Sequence, residues 1–207
     1  GKEIPTREKY TQSKVLHDPT MCLYDASPIC NGAAAVVLSR TPRAEAQRNV
    51  VILGTGAGTD NIHVRAREDI LDLVAVRRSA HQALTEAGVD LSGVDIFECH
   101  DAYAIMAMLS LEAVGFVPRG EAVRFASDGG IARDGALPIA THGGLKARGH
   151  PVGASGVYQL CETAEMIQKG RMTYDPDGDE GKDVHVALLQ SIGGAATSVY
   201  STIIGAK

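Results

Sequence analysis

Apolar runs too short for a helix alternate along this chain with stretches of helical period, and that alternation leaves few folds open. Residues 32–39 (GAAAVVLS) and 50–53 (VVIL) are small and β-branched at successive positions, the pattern of strands buried on both faces. Over residues 73–87, Val76, Ala80, Ala83, Leu84 and Ala87 return at helical spacing. Arg77, Arg78, Gln82 and Glu86 lie largely away from that face, and Gly88 is placed to end the helix. Residues 94–98 (VDIFE) predict a strand, 102–114 an apolar helix stopped by Gly115, and 153–168 a further helix. Residues 184–189 and 195–204 predict two closing strands separated by Ser191-Ile192-Gly193-Gly194. The sum is an α/β fold, a mixed five-stranded sheet with helices on both faces. Residues 1–25 read as loop or short helix, Thr41-Pro42 as the cap and first position of a helix, and 116–150 mostly as loop.

Composition narrows the function classes. The 207 residues, 44% apolar and 22% charged, suit one globular domain or two small ones whose core needs no disulfide or metal. A net charge of −5 without a basic block argues against nucleic acid as a partner. No apolar run reaches ~18 residues and the opening Gly1-Lys2-Glu3 is polar, so neither a signal peptide nor a membrane span is expected. Cys22, Cys30, Cys99 and Cys161 form no CxxC pair and read as reduced thiols of a cytoplasmic protein. Twenty-three glycines beside 4% aromatics point to tight turns and to backbone packed close to a ligand.

Some apparent motifs dissolve on inspection. Gly54-Thr55-Gly56-Ala57-Gly58 suggests a dinucleotide fingerprint, but its third glycine comes a residue early and no acidic strand end follows at the right distance. It reads as a glycine-loosened strand end. Asp175-Pro176-Asp177-Gly178-Asp179 resembles a calcium loop, yet Glu180 and Val186 occupy the places of its glycine and bidentate glutamate, leaving an acidic turn over 174–182. His17, His63, His81 and His185 have no partner at ligand spacing, and Cys161 reads as a core thiol. No metal site emerges.

Three segments do carry chemistry. His100-Asp101-Ala102-Tyr103 follows a strand, where open α/β sheets bind ligands. Thr141-His142-Gly143-Gly144 leads through Lys146 to Gly149-His150-Pro151-Val152-Gly153-Ala154-Ser155-Gly156, and Ser191-Ile192-Gly193-Gly194 lies between the closing strands. Gly149 and Gly153 flank a histidine just ahead of a helix, whose free N–H groups favour negative charge. A histidine held there is placed to act as a base or as a donor to an oxyanion.

The run GGLKARGHPVGASG (143–156) is similar to the GHP motif of the thiolase family, and HDAY (100–103) to the HD-C-F motif of sterol-carrier-type thiolases and their archaeal relatives. SIGG (191–194) lies where most thiolases carry C-x-G and the archaeal type Asn-x-Gly-Gly. The resemblance covers nearly the whole chain but only the second half of a thiolase. Residues 1–31 then correspond to the end of a loop domain and a lead-in, and 32–207 to the C-terminal domain, with 32–40 as the last strand of the other half.

The resemblance implies a thiolase-like acyltransferase acting on acyl-CoA, with coenzyme A as substrate and no further cofactor or metal. His150 would activate a nucleophilic cysteine carried by the N-terminal half or a separate subunit, because no cysteine here matches its context. His100 would join an oxyanion hole, and Gly143, Gly144, Gly149, Gly153, Ser191, Gly193 and Gly194 would line the substrate site. The second catalytic thiol of the family is replaced by Ala102 and Ser191, and a serine hydroxyl is a far weaker base at pH 7. Tyr103, or less favourably Cys99 on the opposite side of the strand from His100, could substitute. Ala140, Thr141 and His142 replace the usual Asn-Pro-x, and the resulting THGG resembles thiolase-like enzymes that cleave steroid side-chain thioesters by retro-aldol chemistry, although those tend to lose the GHP histidine. The alternatives are therefore a thiolase-like aldolase acting on a β-hydroxyacyl-CoA, and a non-catalytic CoA-binding scaffold. Family members are homo- or hetero-oligomers, some with a zinc-ribbon/OB-fold partner.

Overall fold

The computed structural model describes residues 5–42, 48–172 and 182–207. Its elements are α1 (Arg7–Thr11), β1 (Val15–His17), β2 (Met21–Cys22), β3 (Val50–Thr59), α2 (Val74–Ala87), β4 (Ile96–Glu98), α3 (Ala104–Val114), α4 (Ala122–Ser127), α5 (Gly144–Arg148), α6 (Ser155–Lys169), β5 (Val186–Gly193) and β6 (Ser198–Ala206). The main sheet runs β3-β6-β5-β4, with β4 parallel to β5 and the other pairs antiparallel. β1 and β2 form a separate two-stranded ribbon.

Alternating strand residues feed two cores, because successive side chains leave opposite faces. Phe97, Leu188 and Ile203 pack with Ala83 of α2 and with Ala107 and Leu111 of α3. Ile96, Ala187, Leu189 and Ile204 pack with Met166 and Ile167 of α6. Helices thus cover both faces, as the sequence predicts. α2 buries Ala75, Val76, Ser79, Ala80 and Ala83 and ends at Gly88, whose φ of 65° is open to glycine at little cost. The outer edge of β3 is closed by α2, where Glu86 accepts the Thr55 N–H at 2.7 Å and Gln82 the Ala57 N–H at 3.2 Å. Over residues 55–57 those N–H groups are taken and offer no template to another chain.

Several expectations are corrected. Residues 32–39 form no strand: Val37 is 93% exposed and the segment pairs with nothing in the sheet. Among the described residues the sheet therefore has four strands, and a parallel bridge between Phe97 and Ile139 lies beyond β4. β3 does not loosen at its glycines but runs through them to Thr59. β5 likewise continues through Ser191 to Gly193, so the turn begins only at Gly194. The 116–150 loop contains α4 and α5. Cys161 is half-buried rather than core, its thiol donating to the Ala35 carbonyl at 3.4 Å. His17, His63, His81 and His185 are exposed. The helix beginning at Thr41-Pro42 falls mostly, and the acidic turn almost wholly, outside the described residues. No helix among the described residues is long and apolar enough to cross a membrane.

Candidate active site

β4 ends at Glu98, and the chain leaves the sheet at Cys99 and His100. Two carboxylates flanking that exit fasten the glycine loop beside it. Glu98 accepts the Thr141 N–H at 2.8 Å and its hydroxyl at 2.6 Å. Asp101 accepts the Leu145 N–H at 2.7 Å. A Cβ on Gly144 would collide with both Asp101 carboxylate oxygens, and its φ of 56° already disfavours a side chain, so glycine is required there. The 141–145 loop is thereby pinned at both ends to the strand that delivers His100.

α5 then runs to Arg148, and Gly149 (φ 107°) turns the chain into His150. The lead-in segment holds that turn: His150 N–H donates to the Pro28 carbonyl at 2.8 Å, and Cys30 N–H to the His150 carbonyl at 3.2 Å. On the far side the Arg148 guanidinium lies 3.3 Å from the Glu162 carboxylate and 4.9 Å from the centre of the Tyr158 ring, both residues of α6. His150 and Arg148 are thus clamped between the lead-in and α6.

These constraints bring the two imidazoles together. The His100 and His150 ring centroids are 5.1 Å apart, edge to face at 81°. His150 Nδ1 is 2.8 Å from Ser155 Oγ in the first turn of α6. A neutral imidazole that donates from Nδ1 to that hydroxyl keeps Nε2 free as an acceptor. His100 is 7% exposed, and burial, with repulsion from His150, pushes its pKa down to about 4. Burial also lowers the pKa of His150, with Asp101 opposing and Arg148 assisting. Both shifts favour the neutral ring, which can accept a proton at one nitrogen while donating an N–H from the other.

Linkage gives a measurable consequence. His100 has a folded pKa of about 4 against an ordinary value of 6.5, so the unfolded chain binds its proton first as pH falls. The stability tied to its neutral form is complete above pH 6.5 and is lost on acidification toward pH 4, a shift worth about 3 kcal/mol. Glu98, Asp101 and Glu162, raised by burial, run the other way. Urea titrations of wild type and His100→Asn across this range are expected to differ in slope in the stated sense; parallel curves would exclude a neutral buried His100.

The remaining predicted positions lie in the glycine loop, at the start of α6, at the end of β5 and at the start of α3. Gly143 and Gly144 form the pinned loop, and Ser191 approaches the start of α6, since a Cβ on Gly156 would lie 3.2 Å from its hydroxyl. A Cβ on Gly149 would meet Cys30 Sγ at 2.7 Å, whereas one on Gly153 would meet nothing within 4 Å. Gly193 closes β5 and Gly194 starts the turn to β6. Tyr103 sits at the N-cap of α3 and is 46% exposed, while Cys99 is fully buried with its thiol pKa raised by burial. Sequence reasoning missed Glu98, Ser155 and Gln159. The only local signal was their polarity on otherwise buried faces.

A family model described as thiolase C-terminal domain-like matches residues 56–206. An acetyl-CoA acetyltransferase of Methanothermobacter thermautotrophicus is 33% identical over 202 residues, 95% of this chain and 51% of that protein. The benzoylsuccinyl-CoA thiolase subunit BbsB of Thauera aromatica is 30% identical over 164 residues, 78% of this chain and 42% of that subunit. The solved structure named Ltp2-ChsH2(DUF35) aldolase shares the fold, with a TM-score of 0.76 over 97% of this chain and 51% of that one at 21% identity. The chain spans about half the length of the curated acetyltransferases it matches.

Proposed function

The chain belongs to the thiolase family, and from that premise we propose that it supplies the histidine-bearing half of an acyl-CoA enzyme that makes or breaks a carbon–carbon bond next to a thioester. The observation that carries this reading is the pair of imidazoles whose centroids lie 5.1 Å apart at the end of the sheet. In thiolytic cleavage, Nε2 of His150 takes the proton of a nucleophilic cysteine contributed by the other half or by a separate subunit. The thiolate adds to the keto carbon of a 3-ketoacyl-CoA, and the bond between that carbon and the α-carbon breaks. The electron pair passes to the enolate of the departing thioester, whose oxygen receives an N–H from His100. The α-carbon then takes a proton, and the thiol of free coenzyme A releases the acyl group. Gly143, Gly144, Gly149, Gly153, Ser191, Gly193 and Gly194 would border the substrate. Tyr103 is our candidate for handling the α-carbon proton, because Ala102 and Ser191 hold no thiol.

The unpaired segment 32–39 fits the same reading. Exposed apolar residues such as Val37 and Leu38, free of any sheet partner among the described residues, suit a strand that completes the sheet of the N-terminal half. A homo- or hetero-oligomer is the expected assembly, supported by the two components in the name of the similar structure, and a zinc-ribbon/OB-fold protein is one candidate partner. The four cysteines are free, which suits a cytoplasmic setting.

A second reading, a thiolase-like aldolase, is favoured by Ala102 and Ser191 in place of thiols and by the aldolase among the similar folds. Incubating the complete protein with a 3-ketoacyl-CoA plus coenzyme A, and separately with a β-hydroxyacyl-CoA, separates the two. Consumption of the first with release of a shorter acyl-CoA supports the acyltransferase. Release of aldehyde or ketone from the second supports the aldolase, and acyl-CoA binding without turnover of either leaves a scaffold.

A further inference from the structure

One face of α6 reaches His150, the strand end before His100 and the Thr141 loop, and its least expected member is Gln159. The residue is 1% exposed, on the buried face of the helix. Its amide nitrogen donates to the Cys99 carbonyl at 2.8 Å and to the Glu98 carbonyl at 3.2 Å. Those are the two carbonyls at which the chain leaves β4, immediately before His100. Four residues earlier on the same face, Ser155 bonds His150 Nδ1 at 2.8 Å. Two turns later Met166 Sδ lies 3.7 Å from the Thr141 hydroxyl oxygen. A single rigid helix therefore sets the place of His150, of the strand end bearing His100, and of the glycine loop between them.

We infer that Gln159 is a positioning residue, holding the His100-bearing end of β4 against the helix that anchors His150 and so fixing the separation of the two rings. A buried amide is costly unless it is hydrogen-bonded, and both of its N–H groups are used here. The orientation is unambiguous: flipping the amide would aim Oε1 at two carbonyl oxygens. Gln159 Oε1 itself is buried with no partner, so the amide is oriented by its donors alone. The inference rests on the proposed use of His100 and His150, but the geometry it concerns can be read without substrate.

Two variants of the complete protein test it. Gln159→Met keeps length and volume and removes both donors. It is expected to lower turnover of the thioester substrate about ten- to a hundredfold with KM nearly unchanged, because misplacing a catalytic group by about 1 Å costs that much. The imidazole ¹⁵N resonances of His100 and His150 are expected to move while those of His17 and His81 stay. Gln159→Glu can donate one hydrogen bond when protonated and none when ionised. Its turnover relative to wild type is expected to fall as pH rises, with Glu98, Asp101, Arg148 and both histidines common to the two proteins. Unmoved imidazole resonances with unchanged turnover in Gln159→Met, or a loss confined to melting temperature, would overturn the inference. If that variant does not fold, a Gln159→Glu to wild-type ratio that is flat with pH overturns it instead. Should wild type turn over no thioester, the functional reading fails, while the imidazole resonances still decide the role of Gln159.

Discussion

Replacing His150 by alanine in the complete protein is expected to lower thioester turnover about a thousandfold, with KM changed little. The magnitude follows from the role. A cysteine thiol is only a few per cent ionised at neutral pH, and the neutral imidazole is the group placed to take its proton. Alanine leaves the architecture intact, because the backbone of His150, not its ring, bonds Pro28 and Cys30. The variant is therefore expected to melt within a few degrees of wild type, so that the lost rate cannot be ascribed to unfolding. Alkylation of the nucleophilic cysteine by iodoacetamide should slow in parallel, since the thiolate is the species that reacts. Full turnover in this variant would end the acyltransferase reading. A large loss of turnover with unchanged alkylation would move His150 to another step, such as deprotonation of a β-hydroxyl in the aldolase reading.

The two histidines were legible because each stands in a short local pattern: one after a strand, the other between glycines ahead of a helix. α2 was legible for a similar reason, since its apolar period and Gly88 lie within one stretch of chain. What holds the histidines was not. Glu98 meets Thr141, Asp101 meets Leu145, and Gln159 meets the end of β4 across some 40 to 60 positions of sequence. Pro28 reaches His150 from farther still. Nothing in a local pattern marks such pairs, because a polar residue signals its partner only by being buried. The error at 32–39 has a different origin. Its apolar pattern is that of a strand, but a strand exists only where a neighbour supplies hydrogen bonds, and none pairs with it among the described residues. At Ser191–Gly193 the ladder to β6 overrode the turn preference of the glycine.

Gly56→Ala is expected to destabilise the fold by about 3 kcal/mol, although the change adds one methyl group. Gly54, Gly56 and Gly58 all face α2, where a Cβ on each would be driven into the carbonyl oxygen of Ala83, Ser79 and Ala75 respectively. The match is metric. Every second residue along a strand advances about 6.7 Å, and every fourth along a helix about 6 Å, so one helix can seat successive turns on successive glycines. Backbone rather than flexible side chain fills the space, so relief requires α2 to lift from the sheet and loosen the packing of Ala83 against Ile203 and Phe97. This accounts for the run that mimics a dinucleotide fingerprint: its glycines admit a helix, not a phosphate. For a chain of this size about 3 kcal/mol corresponds to a fall in Tm of roughly 6–12 °C, readable by calorimetry. Gly153→Ala is the matched control, since a Cβ there meets nothing within 4 Å and its Tm should stay near wild type. If Gly56→Ala melts with the control, α2 is not seated on the glycine stripe, and the close approach that shields the outer edge of β3 is absent with it.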